Sequence, residues 1–118
     1  MSEVLKQDWL MRQIEQAFAA LARAFGLAKA GQVDQAIEEV DGAIRAVSGM
    51  TVRDLLRLDT ETLRGLVSAD KHAPLAELLR GRATILESTG RLAAARATLA
   101  VADELAPSSA ARDAGRAP

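Results

Sequence analysis

Several residue types that carry chemistry are absent or rare in this sequence of 118 residues. It contains no cysteine and only one histidine. The chain therefore forms no disulfide, offers no thiolate to catalysis or to a zinc or iron–sulfur centre, and cannot build a multi-histidine metal site on its own. Aromatic residues make up 3 % of the chain, one tryptophan and two phenylalanines, so each of them is informative about packing or binding.

An excess of one charge and long apolar runs are also missing. The 15 basic and 16 acidic residues leave a net charge of −1, which gives little attraction for nucleic acid. No apolar run approaches the roughly 18 residues that a membrane span needs. The first residues are polar and acidic where a signal peptide is basic and then apolar. We expect a cytoplasmic protein that binds neither nucleic acid nor membrane.

Motifs with a catalytic or cofactor-binding mechanism are missing as well. The sequence contains no nucleophile elbow, phosphate-binding loop or metalloprotease motif. Its glycines are spread through helical pattern and are not grouped in one loop. We therefore expect a protein that is not an enzyme and that has no catalytic residues, cofactor or metal ion.

The residues that are abundant favour helix. Hydrophobic residues make up 49 % of the chain, alanine and leucine prevail, and no segment of strand length alternates between apolar and polar residues. The spacing predicts one all-α domain over residues 1–106, with Pro74 at the first position of its fifth helix. Residues 107–118 lack an apolar face, which predicts a disordered tail. The long helices are predicted over residues 4–29, 33–47, 74–89 and 92–105, with two short helices around 51–67.

Two helical hairpins are related by an internal repeat. When the chain is shifted by 59 residues, seven positions of the first hairpin carry the same residue type as the second. They are Ala17, Arg23, Ala24, Leu27, Gly31, Ala36 and Ala43, which fall on Ala76, Arg82, Ala83, Leu86, Gly90, Ala95 and Ala102. This spacing of small residues around a turn glycine, closed by Pro107, resembles the tetratricopeptide repeat. The resemblance implies two long tetratricopeptide-like helical hairpins with the short helices inserted between them.

The opening segment carries a second resemblance. A Lys-Gln-Asp-aromatic segment at residues 6–9 is followed by Arg12 and by an Ile-Glu pair at residues 14–15. This pattern is similar to the start of an uncharacterised family of small bacterial proteins. The resemblance implies a tetratricopeptide-like fold, and it brings no catalytic residue with it.

Trp9 has two interpretations. At about 100° per residue it points roughly 180° away from Phe18. The first helix is longer than the second, so Trp9 lies on the part that extends past its neighbour. In one interpretation the segment after the second helix folds back and covers Trp9 with Met50, Val52 and Leu55. In the other, Trp9 anchors a self-association or partner surface together with Leu5 and Arg12.

The apolar stripe of the first helix suggests a groove. The stripe consists of Val4, Met11, Ile14, Phe18, Leu21 and Phe25. Its last three members occupy positions that face the groove in tetratricopeptide units, and a groove that is apolar in one hairpin suits a peptide segment of another protein. In the alternative interpretation, leucines of the short helices fill this groove, namely Leu55, Leu56, Leu58, Leu63 and Leu66.

The remaining polar groups are predicted to be structural. His72 is expected to be a lone surface residue. The acidic residues of the second helix are expected to share a solvent face: Asp34, Glu38 and Asp41. The arginines of the last hairpin are expected to form a solvated face neutralised by nearby acidic residues: Arg80, Arg82, Arg91 and Arg96.

Two functions from different binding classes follow from these surfaces. The first is a homodimer that self-associates through the long N-terminal helix, and we favour it because homodimers are the commonest soluble assembly. The second is a monomeric adaptor that binds a peptide segment of another protein at Phe18, Leu21 and Phe25. A small-ligand binder is the least favoured, since no closed polar pocket is indicated.

Overall fold

The computed structural model describes the backbone of residues 2–107 and the side chains of residues 5–107. This part of the chain is helical and contains no strand, so the all-α prediction is confirmed. Apart from Pro107, the predicted tail lies outside the described residues. Residues 2–107 form six helices, and a short 3₁₀ turn, Ala69–Lys71, precedes the fifth. The helices are α1 (Ser2–Lys29), α2 (Val33–Ser48), α3 (Val52–Arg57), α4 (Thr60–Leu66), α5 (His72–Ser88) and α6 (Leu92–Leu105).

The predicted repeat appears in the backbone of two hairpins, α1 with α2 and α5 with α6. Each hairpin turns at a glycine in the left-handed region, Gly31 at φ 82° and Gly90 at φ 80°, where a side chain is disfavoured. The amide after each glycine donates to the carbonyl five residues earlier, at 2.9 Å in the first turn and 3.0 Å in the second. Both helices therefore end in the same six-residue backbone closure.

Small residues form much of the buried surface of each hairpin. On α1 the buried face consists of Ala17, Ala20 and Ala24, which lie beside the apolar stripe read from the sequence, while Met11 and Phe18 of that stripe are exposed. Small side chains permit a short distance between helix axes, which explains why the alanines and not the larger residues face α2. Alanines at matching repeat positions are buried in both hairpins: Ala17, Ala24, Ala36 and Ala43, and Ala76, Ala83, Ala95 and Ala102.

The short helices α3 and α4 each begin at a side-chain cap. Thr51 Oγ1 accepts a hydrogen bond from the Asp54 amide at 3.2 Å, and Asp59 Oδ1 accepts one from the Thr62 amide at 2.8 Å. A side-chain oxygen at this position satisfies an amide that has no helical partner. The two helices pack mainly against α2 and α6.

The start of α5 differs from the prediction. The helix begins at His72, so Pro74 lies within the first turn and not at its first position. No hydrogen bond is lost, since the amides of a first turn have no helical acceptor. His72 is not a lone surface residue. It is half-buried, and its Nε2 lies 2.7 Å from the Val67 carbonyl oxygen, which connects the end of α4 to the start of α5.

The hydrophobic core lies where the two hairpins meet. Helices α2 and α5 form most of the contact between the hairpins, and α3 and α4 add one large side chain each. The core thus rests on aliphatic residues from the middle of the chain, which leaves the N-terminal part of α1 outside it. The largest fully buried side chains are Val40, Ile44, Val47, Leu55, Leu63, Leu75, Leu78, Leu79, Ile85 and the polar Thr98.

Candidate interaction surfaces

Helix α1 extends past both of its neighbours. Gln13 Nε2 donates to the Ala46 carbonyl at 2.6 Å, close to the end of α2. On the other side, Leu21 of α1 lies against Gly81 of α5. With these two residues side by side, the first residue of α5, His72, lies beside α1 well past the first residue of α1. The first ten residues of α1, residues 2–11, therefore extend past α2 and α5 by about 15 Å. We call this segment the overhang.

The overhang presents large apolar side chains to solvent. Leu5 is 70 % exposed and Trp9 is 62 % exposed. The Lys71 ammonium lies 6.0 Å from the centroid of the Trp9 ring, a distance suited to a cation–π contact. The interpretation in which the segment after α2 covers Trp9 is wrong, because Val52 and Leu55 are buried in the core instead.

Two basic side chains border this apolar surface. Lys6 and Arg12 are exposed, and neither makes an ion pair among the side chains that the structure describes. Leu5, Trp9 and Arg12, which the sequence grouped as one surface, thus lie together on the exposed part of α1. Their charge and apolar area are both available to a partner.

The opposite flank of α1 carries Phe18, Leu21 and Phe25 and runs along α5. Phe18 is 39 % exposed, while Leu21 and Phe25 are half-buried against the core. The expectation that leucines of the short helices fill this groove is wrong at Phe18, because α3 and α4 pack mainly against α2 and α6.

Phe25 also lines a cleft of about 420 Å³ between α1 and α5, which we call the α1–α5 cleft. Its wall on the α5 side contains Thr84 and Ile85. Thr84 is the repeat equivalent of Phe25, so the aromatic ring on α1 faces a wall of α5 that contains both a hydroxyl group and an aliphatic side chain. Of the three residues predicted to line a groove, Phe25 lines this cleft, whereas Phe18 and Leu21 do not. The cleft is lined by Phe25, Ala28, Lys29, Thr84, Ile85 and Ser88.

A second groove, between α1 and α2, was missed from the sequence. We call it the α1–α2 groove; its volume is about 280 Å³. Its rim includes Glu38 and the ion pair between Arg23 Nε and Glu39 Oε1 at 2.8 Å. Both helices carry small residues at helical spacing, and this pattern could have indicated a groove. In the sequence the pattern indicated only that the two helices pack closely. The small residues that line the groove are Ala17, Ala20, Gly42, Ala43 and Ala46.

Ion pairs between the hairpins correct one prediction. Asp41 was expected on a solvent face, yet its Oδ1 lies 2.7 Å from Arg82 Nε of α5. Arg82 also donates from Nη1 to Thr98 Oγ1 at 3.1 Å. Arg91 Nη2 lies 3.5 Å from Asp34 Oδ1, so a second arginine of the last hairpin is paired with α2.

The predicted neutralisation within the last hairpin is confirmed at Arg80. Its Nη1 lies 2.7 Å from Glu77 Oε1, and its Nη2 lies 3.3 Å from Asp103 Oδ1. The same group donates to the carbonyl of Ala106. These contacts use the guanidinium within the chain, which argues against an anion site at this arginine.

Metal and membrane chemistry find no support in the described residues. Within residues 5–107 no three His, Asp or Glu side chains are grouped in a way that would hold a metal ion. None of the described helices has the length and hydropathy required to cross a membrane. Comparisons with protein-family models, curated proteins and solved structures gave no match to this chain. Function is therefore inferred from the residues and their geometry.

Proposed function

We propose that this protein is a non-catalytic, cytoplasmic protein-interaction module that forms a homodimer through the N-terminal part of α1. The observation that carries the proposal is the exposure of Leu5 and Trp9 on the overhang. Exposed tryptophan is a favoured anchor of protein interfaces. Burial of a large apolar side chain contributes about 1.5–3 kcal/mol, and two-fold symmetry applies each contribution twice.

We also propose that the hairpins have a tetratricopeptide-like arrangement. The support is the repeated turn, with glycines at φ 82° and 80°, and the alanines buried at equivalent positions of both hairpins. Helical repeats of this kind present extended surfaces that bind protein partners. Residues 2–11 then act as an extension that a second copy covers.

The homodimer is tested by sedimentation velocity over a range of protein concentrations. Trp9→Ala is expected to raise the dimer Kd at least tenfold, and Leu5→Ser is expected to raise it roughly fivefold. Leu66→Ser is the matched control, because Leu66 is also an exposed helical leucine, 63 % accessible, but lies on α4. A wild-type chain that stays monomeric at hundreds of micromolar, with an intact helical spectrum, would refute the homodimer.

The α1–α5 cleft favours a second candidate function, a monomeric adaptor for a peptide segment of another protein. The half-buried ring of Phe25 beside Ile85 provides an apolar pocket open to solvent. A selection of displayed peptides against the wild-type chain tests it, with Thr84→Arg as the blocked control, because Thr84 is exposed in the cleft wall. Peptides that bind the wild type and lose binding to Thr84→Arg support the adaptor. Peptides that bind both equally argue against it.

A further inference from the structure

The overhang alone is too small to hold a dimer together. A stable interface buries about 800 Å² and roughly 20–30 residues on each partner, whereas the overhang consists of residues 2–11 only. The contact must therefore extend onto the body of the second copy. We infer that the overhang of each copy docks in the α1–α2 groove of the other, an inference that rests on the proposed homodimer.

The overhang and the groove lie on the same flank of α1. At about 100° per residue, Leu5, Trp9, Gln16 and Ala20 project within roughly 60° of one another. The levels of Trp9 and Ala20 are about 17 Å apart along the helix. A two-fold axis perpendicular to α1 and midway between them places each overhang over the other copy's groove. Each copy then contributes its overhang and its α1–α2 groove once, which gives one closed, isologous interface.

The groove has the shape that a large side chain requires. Its lining combines small residues, among them Ala20 on α1 and Gly42 and Ala46 on α2, with longer polar side chains, among them Gln13 and Gln16 on α1. Gly42 and Ala46 are exposed, and a Cβ built on Gly42 meets no atom within 4 Å. The groove is therefore open beside Gly42, and we place the Trp9 ring of a second copy at this point, among the small residues.

Charge favours the same arrangement. In the antiparallel register, Lys6 of one copy lies at the end of the groove formed by Arg23 and Glu39 of the other. Glu39 is already bonded to Arg23, but the neighbouring Glu38 is exposed on the rim without an ion pair among the described side chains. Lys6 and Glu38 carry opposite charges and have no ion pair among the described side chains, and in this register they meet across the interface, once on each side of the axis.

A charge-reversal cycle tests this pairing by sedimentation velocity. Lys6→Glu and Glu38→Lys are each expected to raise the dimer Kd roughly tenfold, because symmetry places the resulting like-charge pair in the interface twice. The chain that carries both substitutions restores the pair with its signs exchanged, so its Kd is expected to return to within about threefold of wild type. If the dimerisation free energy lost by the double variant equals the sum of the losses of the two single variants, the pairing is overturned.

Filling the groove provides a second test that does not depend on charge. Gly42→Gln places a side chain in the groove at an open helical position, so the fold is retained, and the dimer Kd is expected to rise at least tenfold. Gly26→Gln is the matched control, since Gly26 is also an exposed helical glycine with no atom within 4 Å of a built Cβ, but lies outside the groove. Equal Kd values for the two variants overturn the inference.

The outcomes separate this inference from the proposed function. In one outcome, Trp9→Ala weakens the dimer, whereas Gly42→Gln and Glu38→Lys leave its Kd unchanged. The overhang is then part of the interface, but the groove does not receive it, as expected if two overhangs pack on each other. A wild-type chain that is monomeric at all concentrations refutes both.

Discussion

Arg23 and Arg82 occupy the same position in the two hairpins, but their surroundings differ. Each reaches across its own hairpin to the residue sixteen positions later, Arg23 to Glu39 at 2.8 Å and Arg82 to Thr98 at 3.1 Å. Arg82 also contacts Asp41 of the other hairpin. The side chain of Arg23 is 61 % exposed and that of Arg82 is 14 % exposed. The repeat therefore places one surface arginine and one arginine that joins the hairpins.

These two arginines are expected to differ in their contribution to stability. Arg82→Ala should lower the free energy of unfolding by about 1.5–3 kcal/mol, because it removes charge-assisted hydrogen bonds at a partly buried site. Arg23→Ala should lower it by about 0–1 kcal/mol, since an exposed ion pair contributes little. Urea unfolding of both variants measures the difference. Losses of equal size would mean that Arg82 does not hold the hairpins together.

Sequence reasoning identified the matched arginines but not the contacts that distinguish them. The offset of 59 residues is visible in the sequence, because both arginines obey the same local spacing. The partner of Arg82 is 41 residues away, and its place depends on how the second hairpin packs on the first. Local periodicity carries no information about that packing, so Asp41 was assigned to solvent.

At the scale of one element, α4 depends on the carboxylate that precedes it. Asp59 accepts the Thr62 amide at 2.8 Å on Oδ1 and the Thr62 hydroxyl at 3.0 Å on Oδ2. The hydrogen bond from the Thr62 amide, assisted by the one from its hydroxyl, holds the pKa of Asp59 below its ordinary value of 3.8. The folded state therefore favours the ionised form of this cap.

The lowered pKa fixes the sign of a pH dependence. A carboxyl group whose pKa is lower in the folded chain contributes stability that is fully present above pH 3.8 and is lost as the pH falls through the lowered pKa. Asp59→Asn keeps a capping oxygen without this titration, so its stability relative to wild type should improve as the pH falls below 3.8. Unfolding measured across this range tests the trend. A carboxyl chemical-shift titration of Asp59 with a midpoint at or above 3.8 would contradict it.

The length of α1 was predictable, but its buried face was not. A helix over residues 4–29 beside a shorter one implies an overhang from length alone, and the structure has α1 at Ser2–Lys29 and α2 at Val33–Ser48. The largest apolar residues suggested that the buried face contains Phe18. Close helix packing instead selects the alanines, and the size of a side chain does not decide which flank a neighbouring helix covers.

At the scale of the whole molecule, the two hairpins meet at a glycine. Gly81 is buried in α5, and a Cβ built there would overlap the side chain of Leu21 on α1. These residues are 60 positions apart, so the contact exists only when both hairpins are formed and docked. The contact between Gly81 and Leu21 therefore reports whether α1, which carries the overhang, is packed against α5.

A double-mutant cycle at this contact tests whether the hairpins unfold as one unit. Gly81→Ala alone should lower the free energy of unfolding by about 1 kcal/mol, because the methyl group displaces Leu21. In a Leu21→Ala background the same substitution should raise it by about 0.5–1 kcal/mol, since the clash is gone and the gain in helix propensity remains. Gly26→Ala is the control, because Gly26 has no neighbour and should respond alike in both backgrounds. If Gly81→Ala has the same effect with and without Leu21, then α1 does not pack on α5 in solution. The contact between Leu21 and Gly81 then does not fix the position of the overhang relative to α5.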